Sequence, residues 1–381
     1  MFWDDLLARN SDLAERGLRK PIIGLAPMDG VTDAPFRFMV AKYGGTHTRC
    51  VGVLHTGCVG DGVDVVFTEF VSVDALHYAK DERRERLLKT LIRARDVGSH
   101  SRSVGALHSG SVGDRCWPFE VAQVFGKKPE FFAEAAVLVE SLGFDGIDIN
   151  MGCPAHKVEE SGSGAGLIHT PALAQEIIRT VKAATKLPVS VKTRIGVDKD
   201  VAEEWMEQLM EVRPAMISLH GRTLKQLYQG RADWEAIARA AKVVHKHGGH
   251  ILGNGDITSI NNLQFTIHKY GVDGVLIGRA AEGNPGVFVG LDEPTKEQRL
   301  AWMVEHARVF EKIFKEDANP PSLDELRRGT RQERWFLPVR KHLAWYCKGF
   351  PGAGEMRVKL VQANSVAEVE EIVLYFQNIL S

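Results

Sequence analysis

The residues most able to do chemistry lie in the segment GFDGIDINMGCPAHK, Gly143–Lys157. An apolar, β-branched run ends at Asn150, and Cys153 follows three residues later, directly before Pro154. Proline favours an extended conformation at the preceding residue, which is typical of a loop that leaves a strand. His156 is the only other Cys or His in the segment, so we predict no metal site. Packing, a nucleophile and a proton donor remain open for the thiol.

Other polar side chains lie at the ends of further apolar runs. They are Gln123, Lys192 and His220, together with Asn150. Lys192 interrupts the run SVKTRIG, so its ammonium group must either reach outward to water or project into a polar pocket that holds an anion. A barrel gathers its strand ends at one rim and favours the pocket. Each residue taken alone is equally compatible with a polar group that is simply hydrogen-bonded.

Two glycine-rich segments follow the last two apolar runs and are candidates for phosphate binding. GNGDI contains Asn254, Gly255 and Asp256, and GVLIGRAAEGNP contains Gly278 and Arg279. In a barrel, the loops after the last two strands commonly bind phosphate through backbone N–H groups and a helix N-terminus. An arginine there adds a charge-assisted hydrogen bond. The alternative is a pair of tight turns that need glycine at positive φ.

These side chains need a scaffold that brings strand ends together. From Pro21 to about Gly283, short apolar runs alternate with helical patterns such as Pro129–Leu142, Pro171–Ala184 and Trp234–His245. Strands that are apolar on both faces and separated by helices indicate a parallel sheet covered on both sides. Eight such units predict an α/β fold, a (β/α)₈ TIM barrel, with a doubly wound sheet as the alternative. The predicted strands are Pro21–Ala26, Val63–Phe70, Phe119–Phe125, Phe144–Asn150, Pro188–Thr193, Ala215–His220, His250–Gly253 and Asp273–Gly278.

The pattern changes after Pro294, where long helical stretches follow without a strand. They are Glu297–Lys315, Gln332–Tyr346 and Ser365–Leu380. We therefore predict a lead-in over residues 1–20, a barrel over 21–290 and an all-helical C-terminal domain over 296–381.

The helical domain carries a basic cluster. Between residues 327 and 359 the sequence contains nine basic residues and only two acidic ones, Glu333 and Glu355. Aromatic residues are interleaved with the basic ones. Such a mixture suggests a surface for nucleic acid, and the alternative is a solvated helix face whose aromatic residues belong to the core. The basic residues are Arg327, Arg328, Arg331, Arg334, Arg340, Lys341, Lys348, Arg357 and Lys359.

Composition limits the possible partners and compartment. The formal net charge of the 381 residues is −1, so a nucleic-acid partner needs a local basic patch. Five widely spread cysteines argue against a disulfide framework and for a reducing compartment. The N-terminus lacks a secretory apolar region, and no run reaches membrane-spanning length. We expect a cytoplasmic, monomeric protein without a membrane partner.

Two segments near the second and third predicted strands resemble each other. Cys50–Val63 and Ser103–Cys116 share eight residues at a constant offset of 53. A metal or redox site is one interpretation, but both cysteines within the first copy, Cys50 and Cys58, are serines in the second. We therefore predict inserted loops near 46–62 and 97–118, on the N-terminal face of the barrel and without a catalytic role.

With these motifs in this order, the chain resembles the tRNA-dihydrouridine synthase family. The resemblance covers nearly the whole chain, except the two inserts and the extreme N-terminus. The segments that carry it are GLAPMDGVTDAPFR (Gly24–Arg37), VFTEFVS (Val66–Ser72), DGIDINMGCPAHKV (Asp145–Val158), VKTRIG (Val191–Gly196), LHGRT (Leu219–Thr223), GNGDI, GVLIGRAAEGNP and RKHLAWYCKGFPGA (Arg340–Ala353).

The resemblance implies an FMN enzyme that reduces the C5–C6 double bond of specific tRNA uridines, with NADPH reducing the flavin. Cys153 matches the catalytic cysteine and would act as a general acid, since a thiol with a pKa near ~8.5 stays mostly protonated at neutral pH. The implied cofactor-binding residues are Ala26, Pro27, Met28, Gln123, Asn150, Lys192, His220, Asn254, Gly255, Asp256, Gly278 and Arg279. We assign contacts with substrate or tRNA to Arg222, Arg327, Arg328, Arg331, Arg334, Arg340 and Lys341.

Two other functions are compatible with parts of this pattern. A dihydroorotate or dihydropyrimidine dehydrogenase would use a similar flavin barrel on free pyrimidines, but would not need the basic helical domain. A tRNA-binding protein without activity would not need Cys153, Lys192 and His220 together. Both comparisons favour the synthase.

Overall fold

The computed structural model describes residues 2–14, 21–45, 62–98, 117–153, 162–261, 263–315 and 334–379. Eight parallel strands close into a barrel in which neighbours in sequence are neighbours in space. The last strand pairs with the first, Ile22 opposite Gly274 and Leu25 opposite Ile277. The (β/α)₈ prediction is confirmed, and the doubly wound alternative is wrong. The strands are β1 (Ile22–Leu25), β2 (Val65–Ser72), β3 (Phe119–Phe125), β4 (Gly146–Met151), β5 (Val189–Arg194), β6 (Met216–His220), β7 (Ile251–Asn254) and β8 (Gly274–Ile277).

The observed strand ends differ from the predicted ends by at most two residues, and the three named outer helices agree within one residue. Apolar runs identify these elements because a strand covered on both faces buries nearly every side chain. The helices up to the end of the barrel are α1 (Phe2–Ala14), α2 (Ala34–Tyr43), α3 (Val73–Tyr78), α4 (Asp81–Leu88), α5 (Pro129–Ser141), α6 (Pro171–Ala184), α7 (Ala202–Met210), α8 (Trp234–Lys246) and α9 (Leu263–Tyr270).

Side chains alternate along each strand between the helical layer and the barrel interior. On β3, Ala122 and Val124 belong to the core shared with the outer helices, whereas Val121 belongs to the interior cluster. This period of two places Gln123 inside as well, since successive side chains of a strand point to opposite faces. The N-terminal half of the interior is therefore apolar, and the polar strand-end residues lie above it.

Helix α1 closes the N-terminal end of the barrel, a role that the predicted lead-in over 1–20 does not include. Trp3 is 1% exposed, and with Phe2 and Leu6 it belongs to the same cluster as the interior strand residues. The ring of Phe2 stacks on Phe119 at the start of β3, with 4.7 Å between the ring centroids. Burial of such large rings stabilises a fold by several kcal/mol each, about 3–5.

The C-terminal helices pack on α2 and form a core of their own. A 3₁₀ turn at Arg334–Phe336 precedes α11, and Pro338 occupies the first turn of that helix, where proline is tolerated. This core includes Met303, Leu343 and Tyr346, and Met39 of α2 joins it. The helices are α10 (Lys296–Phe314), α11 (Leu337–Tyr346), α12 (Ala353–Leu360) and α13 (Val366–Ile379). Helix α12 was not predicted from the sequence.

The duplicated segments lie almost wholly outside the described residues. They fall in the connection between α2 and β2 and in the connection that enters β3. Both connections therefore reach the barrel at the N-terminal ends of strands, and the absence of a catalytic role there stays a prediction. None of the helices within the described ranges combines the length and apolarity needed to cross a membrane.

Candidate active site

A cavity of about 1180 Å³ opens at the C-terminal ends of the strands. Cys153, Arg222 and every cofactor-binding residue predicted from the sequence line it. They come from separate strand ends, because a parallel barrel places all its carboxyl ends on one face. The lining residues predicted from the sequence are Ala26, Pro27, Met28, Gln123, Asn150, Cys153, Lys192, His220, Arg222, Asn254, Gly255, Asp256, Gly278 and Arg279.

Asn150 fixes the backbone at Cys153. Its side-chain oxygen Oδ1 accepts hydrogen bonds from the backbone N–H of Gly152 at 3.1 Å and of Cys153 at 2.9 Å. Asparagine commonly makes this local bond where a chain leaves regular structure, because its short amide reaches the backbone two or three residues ahead. Cys153, which is 6% exposed, is thereby held in the lining of the cavity.

Lys192 brings a cation to the same cavity. Burial and, next, the charge of Arg194 lower the pKa of Lys192 from 10.5 to about 8, while Asp148 and Cys153 act in the opposite direction. At neutral pH the ammonium group is therefore still charged. It lies close enough to Cys153 for the two side chains to interact electrostatically.

Arg194 also lines the cavity, although our sequence analysis did not predict it. Its Nε donates to the carbonyl oxygen of Gly152 at 2.7 Å, and its Nη1 donates to those of Thr223 at 3.1 Å and Leu227 at 3.2 Å. The side chain thus connects the loop that carries Cys153 to the loop after β6. Its position two residues beyond Lys192, on the same strand face, is a signal that could have identified it.

His220 is neutral in this environment. Burial and then the charges of Lys192, Arg194, Arg222 and Arg279 lower its pKa to about 2. A neutral imidazole carries one N–H donor and one acceptor nitrogen, so His220 can hydrogen-bond a ligand without adding charge.

Arg222 is 2% exposed, and its guanidinium group is bound within the protein. Nη2 donates to both carboxylate oxygens of Asp256 at 2.8 Å and to the carbonyl oxygen of Gly230 at 2.7 Å. Nε donates to Gln229 at 3.2 Å. These bonds hold the cavity wall together, and Arg222 also lines the cavity. Its assignment to substrate or tRNA stays a prediction.

Asp256 organises the part of the wall expected to bind phosphate. Burial alone would raise its pKa, but the backbone N–H of Ala232 and the guanidinium of Arg222 lower it below the ordinary value. Asp256 also accepts a hydrogen bond from Arg279 Nη2 at 3.1 Å. Because its oxygens are occupied by these donors, it can support an anionic ligand only by orienting Arg279.

Gly255 is required by the backbone at this point. Its φ is +126°, and a Cβ there would lie 2.6 Å from the Cβ of Ala232 and 3.1 Å from the ring of His220. The absence of a side chain leaves the end of β7 open to a ligand. With Lys192 and Arg279 in reach of the cavity, the site offers backbone access, hydrogen-bond donors and positive charge. These features fit a flavin that carries a phosphate group.

Three further residues line the cavity without having been predicted to do so. Tyr228 and Arg231 lie in the loop after β6 and gave no sequence signal, whereas Lys348, which follows α11, belongs to the basic cluster. The guanidinium of Arg279 lies 5.5 Å from the ring centroid of Tyr228, which is a cation–π distance. Loop residues have no periodic pattern, so only the folded chain reveals them. Across the described parts of the chain, no three His, Cys, Asp or Glu side chains cluster so as to bind a metal ion.

The basic cluster of the helical domain divides into different environments. Arg327, Arg328 and Arg331 lie outside the described residues, and of Arg334 only the backbone is described. Arg340 donates from Nε to Ala363 at 2.7 Å and also binds Asn364, so it fastens the turn between α12 and α13. Its assignment to substrate or tRNA stays a prediction. A Cβ added to Gly30 would approach Lys341 Nζ to 2.7 Å, which places Lys341 beside the loop after β1.

Some of the aromatic residues in that cluster belong to the core, as the alternative interpretation of a solvated helix face predicts. Phe336 and Tyr346 are buried in the core of the helical domain. Lys348, in contrast, is exposed and lines the cavity. The cluster therefore mixes core aromatics and structural arginines with basic groups that border the site.

Comparisons with known proteins identify the family of this chain. The family model described as dihydrouridine synthase matches residues 24–380. The probable tRNA-dihydrouridine synthase 1 of Synechocystis sp. is 32% identical over 351 residues, which cover 91% of this chain and 84% of that protein. The probable tRNA-dihydrouridine synthase of Staphylococcus epidermidis is 33% identical over 364 residues, with coverages of 94% and 95%. The probable tRNA-dihydrouridine synthase 2 of Bacillus subtilis is 31% identical over 368 residues, with coverages of 95% and 96%. The chain belongs to the dihydrouridine synthase family.

Proposed function

We propose that this protein is an FMN-dependent tRNA-dihydrouridine synthase that reduces the C5–C6 double bond of uridines in tRNA, with Cys153 as the proton donor. The observation that carries the proposal is the position of Cys153 in the lining of the cavity, fixed by Asn150 and close to the cation Lys192, in a member of this family. NADPH as the electron donor, a cytoplasmic location and a monomeric state belong to the same proposal.

The size of the cavity supports a large cofactor together with a base. Small-molecule sites usually occupy roughly 300–1,000 Å³, and the volume of about 1180 Å³ exceeds that range. Ala26, Pro27 and Met28 supply an apolar side, and Gly255 and Arg279 supply the end suited to phosphate. A uridine stacked inside folded tRNA must leave its stack to enter such a cavity.

The residues around Cys153 can each take a defined part in the reaction. When bound, the reduced flavin supplies a hydride to C6 of uracil. Cys153 holds a proton on Sγ for C5, and the thiolate that remains takes up a proton from solvent. Lys192 and Arg194 stabilise the negative charge that develops on the pyrimidine, because charges that are already oriented in a dry site act strongly.

The position of the basic groups supports tRNA rather than a free pyrimidine as substrate. Lys348 lines the cavity and Lys341 lies beside the loop after β1. Both therefore border the mouth of the site, where the phosphates around an extruded uridine would pass. Arg327, Arg328, Arg331 and Arg334 extend the same basic segment in the sequence. An uncharged free pyrimidine such as uracil would gain little from these charges.

The test uses the full chain loaded with FMN, NADPH and unmodified tRNA transcripts, with dihydrouridine measured by mass spectrometry. We expect wild-type protein to form dihydrouridine, and Cys153→Ala to retain FMN and tRNA binding while losing most turnover. Cys347→Ala is the matched control, because burial raises the pKa of Cys347 to about 12 in the core of the helical domain. Unchanged turnover in Cys153→Ala would remove this residue from the mechanism. Turnover of free uracil or dihydroorotate without tRNA would refute the assignment of tRNA as the substrate.

A further inference from the structure

A buried carboxylate lies beneath the cavity, and the proposed chemistry does not use it. Asp148 is 0% exposed and points into the barrel from β4. Its Oδ1 accepts a hydrogen bond from Ser190 Oγ at 2.6 Å, and its Oδ2 accepts one from Gln123 Nε2 at 2.7 Å. A buried charge is retained at a cost in solvation and needs partners that satisfy it, so its position below the reactive residues calls for a physical role.

Asp148 begins a chain of hydrogen bonds that ends at Cys153. Gln123 Oε1 accepts from Asn150 Nδ2 at 2.9 Å, and Asn150 Oδ1 accepts from the backbone N–H of Cys153 at 2.9 Å. The amides of Gln123 and Asn150 therefore point in the same direction. Each turns its nitrogen toward the carboxylate end and its oxygen toward the cysteine end.

The ionised carboxylate permits only this direction. A carboxylate accepts hydrogen bonds and donates none, so a reversed Gln123 would turn its oxygen toward the oxygens of Asp148. Reversal of Asn150 would equally turn its NH₂ group toward the N–H of Cys153. Both errors leave buried polar groups without partners, which is costly. The chain is satisfied in one polarity only.

This polarity determines what Gln123 and Asn150 present to the cavity, which both of them line. Each amide NH₂ has two hydrogens, and the chain uses one of them. The remaining N–H of each amide, together with the ammonium group of Lys192, makes the polar floor a set of donors. Such a floor complements a ligand edge of carbonyl oxygens and unprotonated ring nitrogens, which flavins and uracil both possess.

We propose that Asp148 is a positioning residue whose carboxylate sets the orientation of Gln123 and, through it, of Asn150 and the backbone of Cys153. The inference rests on the proposed flavin site. Burial raises the pKa of Asp148 to about 6, while the hydrogen bonds from Ser190 and Gln123 and the charge of Lys192 act in the opposite direction. The group is therefore mostly ionised at neutral pH, the state that accepts from Gln123.

The first test replaces Asp148 by Asn, which has the same shape but can turn an NH₂ group toward Gln123. Loss of a charge-assisted bond and a misdirected amide are expected to weaken FMN binding about tenfold. Ser190→Ala is the matched control, because it removes a partner of the same carboxylate but leaves the acceptor for Gln123. We expect its FMN affinity to stay within about threefold of wild type.

The second test reads the other end of the chain in cofactor-free protein, by alkylation of Cys153 with iodoacetamide across pH. Release of its backbone N–H in Asp148→Asn is expected to raise the plateau rate at high pH about fivefold. A change in charge alone would shift the pH midpoint of the alkylation curve and leave the plateau rate unchanged. Peptide mass spectrometry reads alkylation at Cys153 separately from the other four cysteines of the chain. Cys347→Ala serves as background, because Cys347 is the other buried cysteine among the described residues.

An exchange of the two groups separates positioning from damage to the fold. In the double variant Gln123→Glu, Asp148→Asn, the new Asn can donate to the new Glu, whose second oxygen still accepts from Asn150. We expect the alkylation plateau to return to within about twofold of wild type, while FMN binding stays weak because the donor at 123 is lost. Wild-type FMN affinity and alkylation in Asp148→Asn would overturn the proposal, as would a double variant that does not restore the plateau.

These results are independent of the catalytic assignment. If wild-type protein bound FMN and the exchange restored the plateau, but no dihydrouridine formed on tRNA, the proposed function would fail and the role of Asp148 would stand. If wild-type protein formed dihydrouridine normally but the double variant did not restore the alkylation plateau, the proposed function would stand and the role of Asp148 would fail.

Discussion

Replacement of Lys192 by Met should make the cofactor-free protein more stable and its FMN binding weaker. The ammonium group is held in the cavity by β5, where burial and the neighbouring charge of Arg194 lower its pKa from 10.5 to about 8. Met has a similar length, needs no solvation and adapts to irregular space. The same substitution removes a donor and a positive charge from the floor of the site.

The magnitude follows from the change in pKa. Each pH unit between 10.5 and 8 corresponds to about 1.4 kcal/mol, so the charged lysine costs at most about 3 kcal/mol at neutral pH. Partial exposure of the side chain and the lost attraction to Asp148 reduce the expected gain to about 1–2 kcal/mol. Between pH 8 and 10.5 the unfolded chain binds more protons than the folded one. The unfolding free energy of the wild type should therefore rise with pH in that window.

Urea denaturation of the cofactor-free proteins between pH 7 and about 10 measures this difference, and fluorescence titration measures FMN affinity. The variant should be more stable at pH 7, the two stabilities should converge as pH rises, and FMN affinity should fall about tenfold or more. Lys242→Met, at an exposed position on α8, is the control and should change neither. A variant that is less stable than wild type at pH 7 would refute the reasoning about desolvation, and unchanged FMN affinity would refute the role of the charge.

Two further substitutions test the two ends of the barrel. Gly255→Ala should cost about 1–3 kcal/mol of stability and weaken FMN binding, because φ is +126° and the new methyl group would meet Ala232. Gly248→Ala, with a positive φ but nothing within 4 Å, should cost only about 1 kcal/mol and leave FMN affinity unchanged; equal effects in the two variants would contradict the steric argument. Trp3→Ala should cost about 3–5 kcal/mol in urea denaturation with little change in FMN affinity. A loss of FMN affinity in folded Trp3→Ala would show that α1 also shapes the site.

The barrel and most of its lining could be predicted because they depend on local patterns. Apolar runs mark strands, and the period of two decides which side chains point inward. Lys192 could be identified because a cation interrupted such a run, and the cavity contains it. Tyr228 and Arg231 could not be identified in this way, since a loop residue has no period and reaches the cavity only through the path of the folded loop.

The sequence could not show the partners of arginines when those partners are distant along the chain. Arg222 was assigned to substrate or tRNA, and the structure shows it bound by Asp256, 34 residues later. Arg340 received the same assignment, and it binds the backbone at Ala363. The number of charges in a segment indicates its electrostatic potential. It cannot show which guanidinium groups are already hydrogen-bonded within the fold. Exposed basic residues such as Lys348 differ from them only in tertiary structure.

Along the barrel axis, the interior residues that stabilise the fold lie at one end and those that line the cavity lie at the other. On β6, Met216 joins the apolar cluster that α1 closes, whereas His220, four residues further along the same face, lines the cavity. On β4 the same face carries Asp148 and then Asn150, so the buried carboxylate lies between the apolar end and the reactive end. A charge at that depth can orient the amides above it, because the packed layer beneath excludes water that could compete for their hydrogen bonds. We therefore expect substitutions below Asp148 to change mainly stability, and substitutions at or above it to change cofactor binding and the reactivity of Cys153.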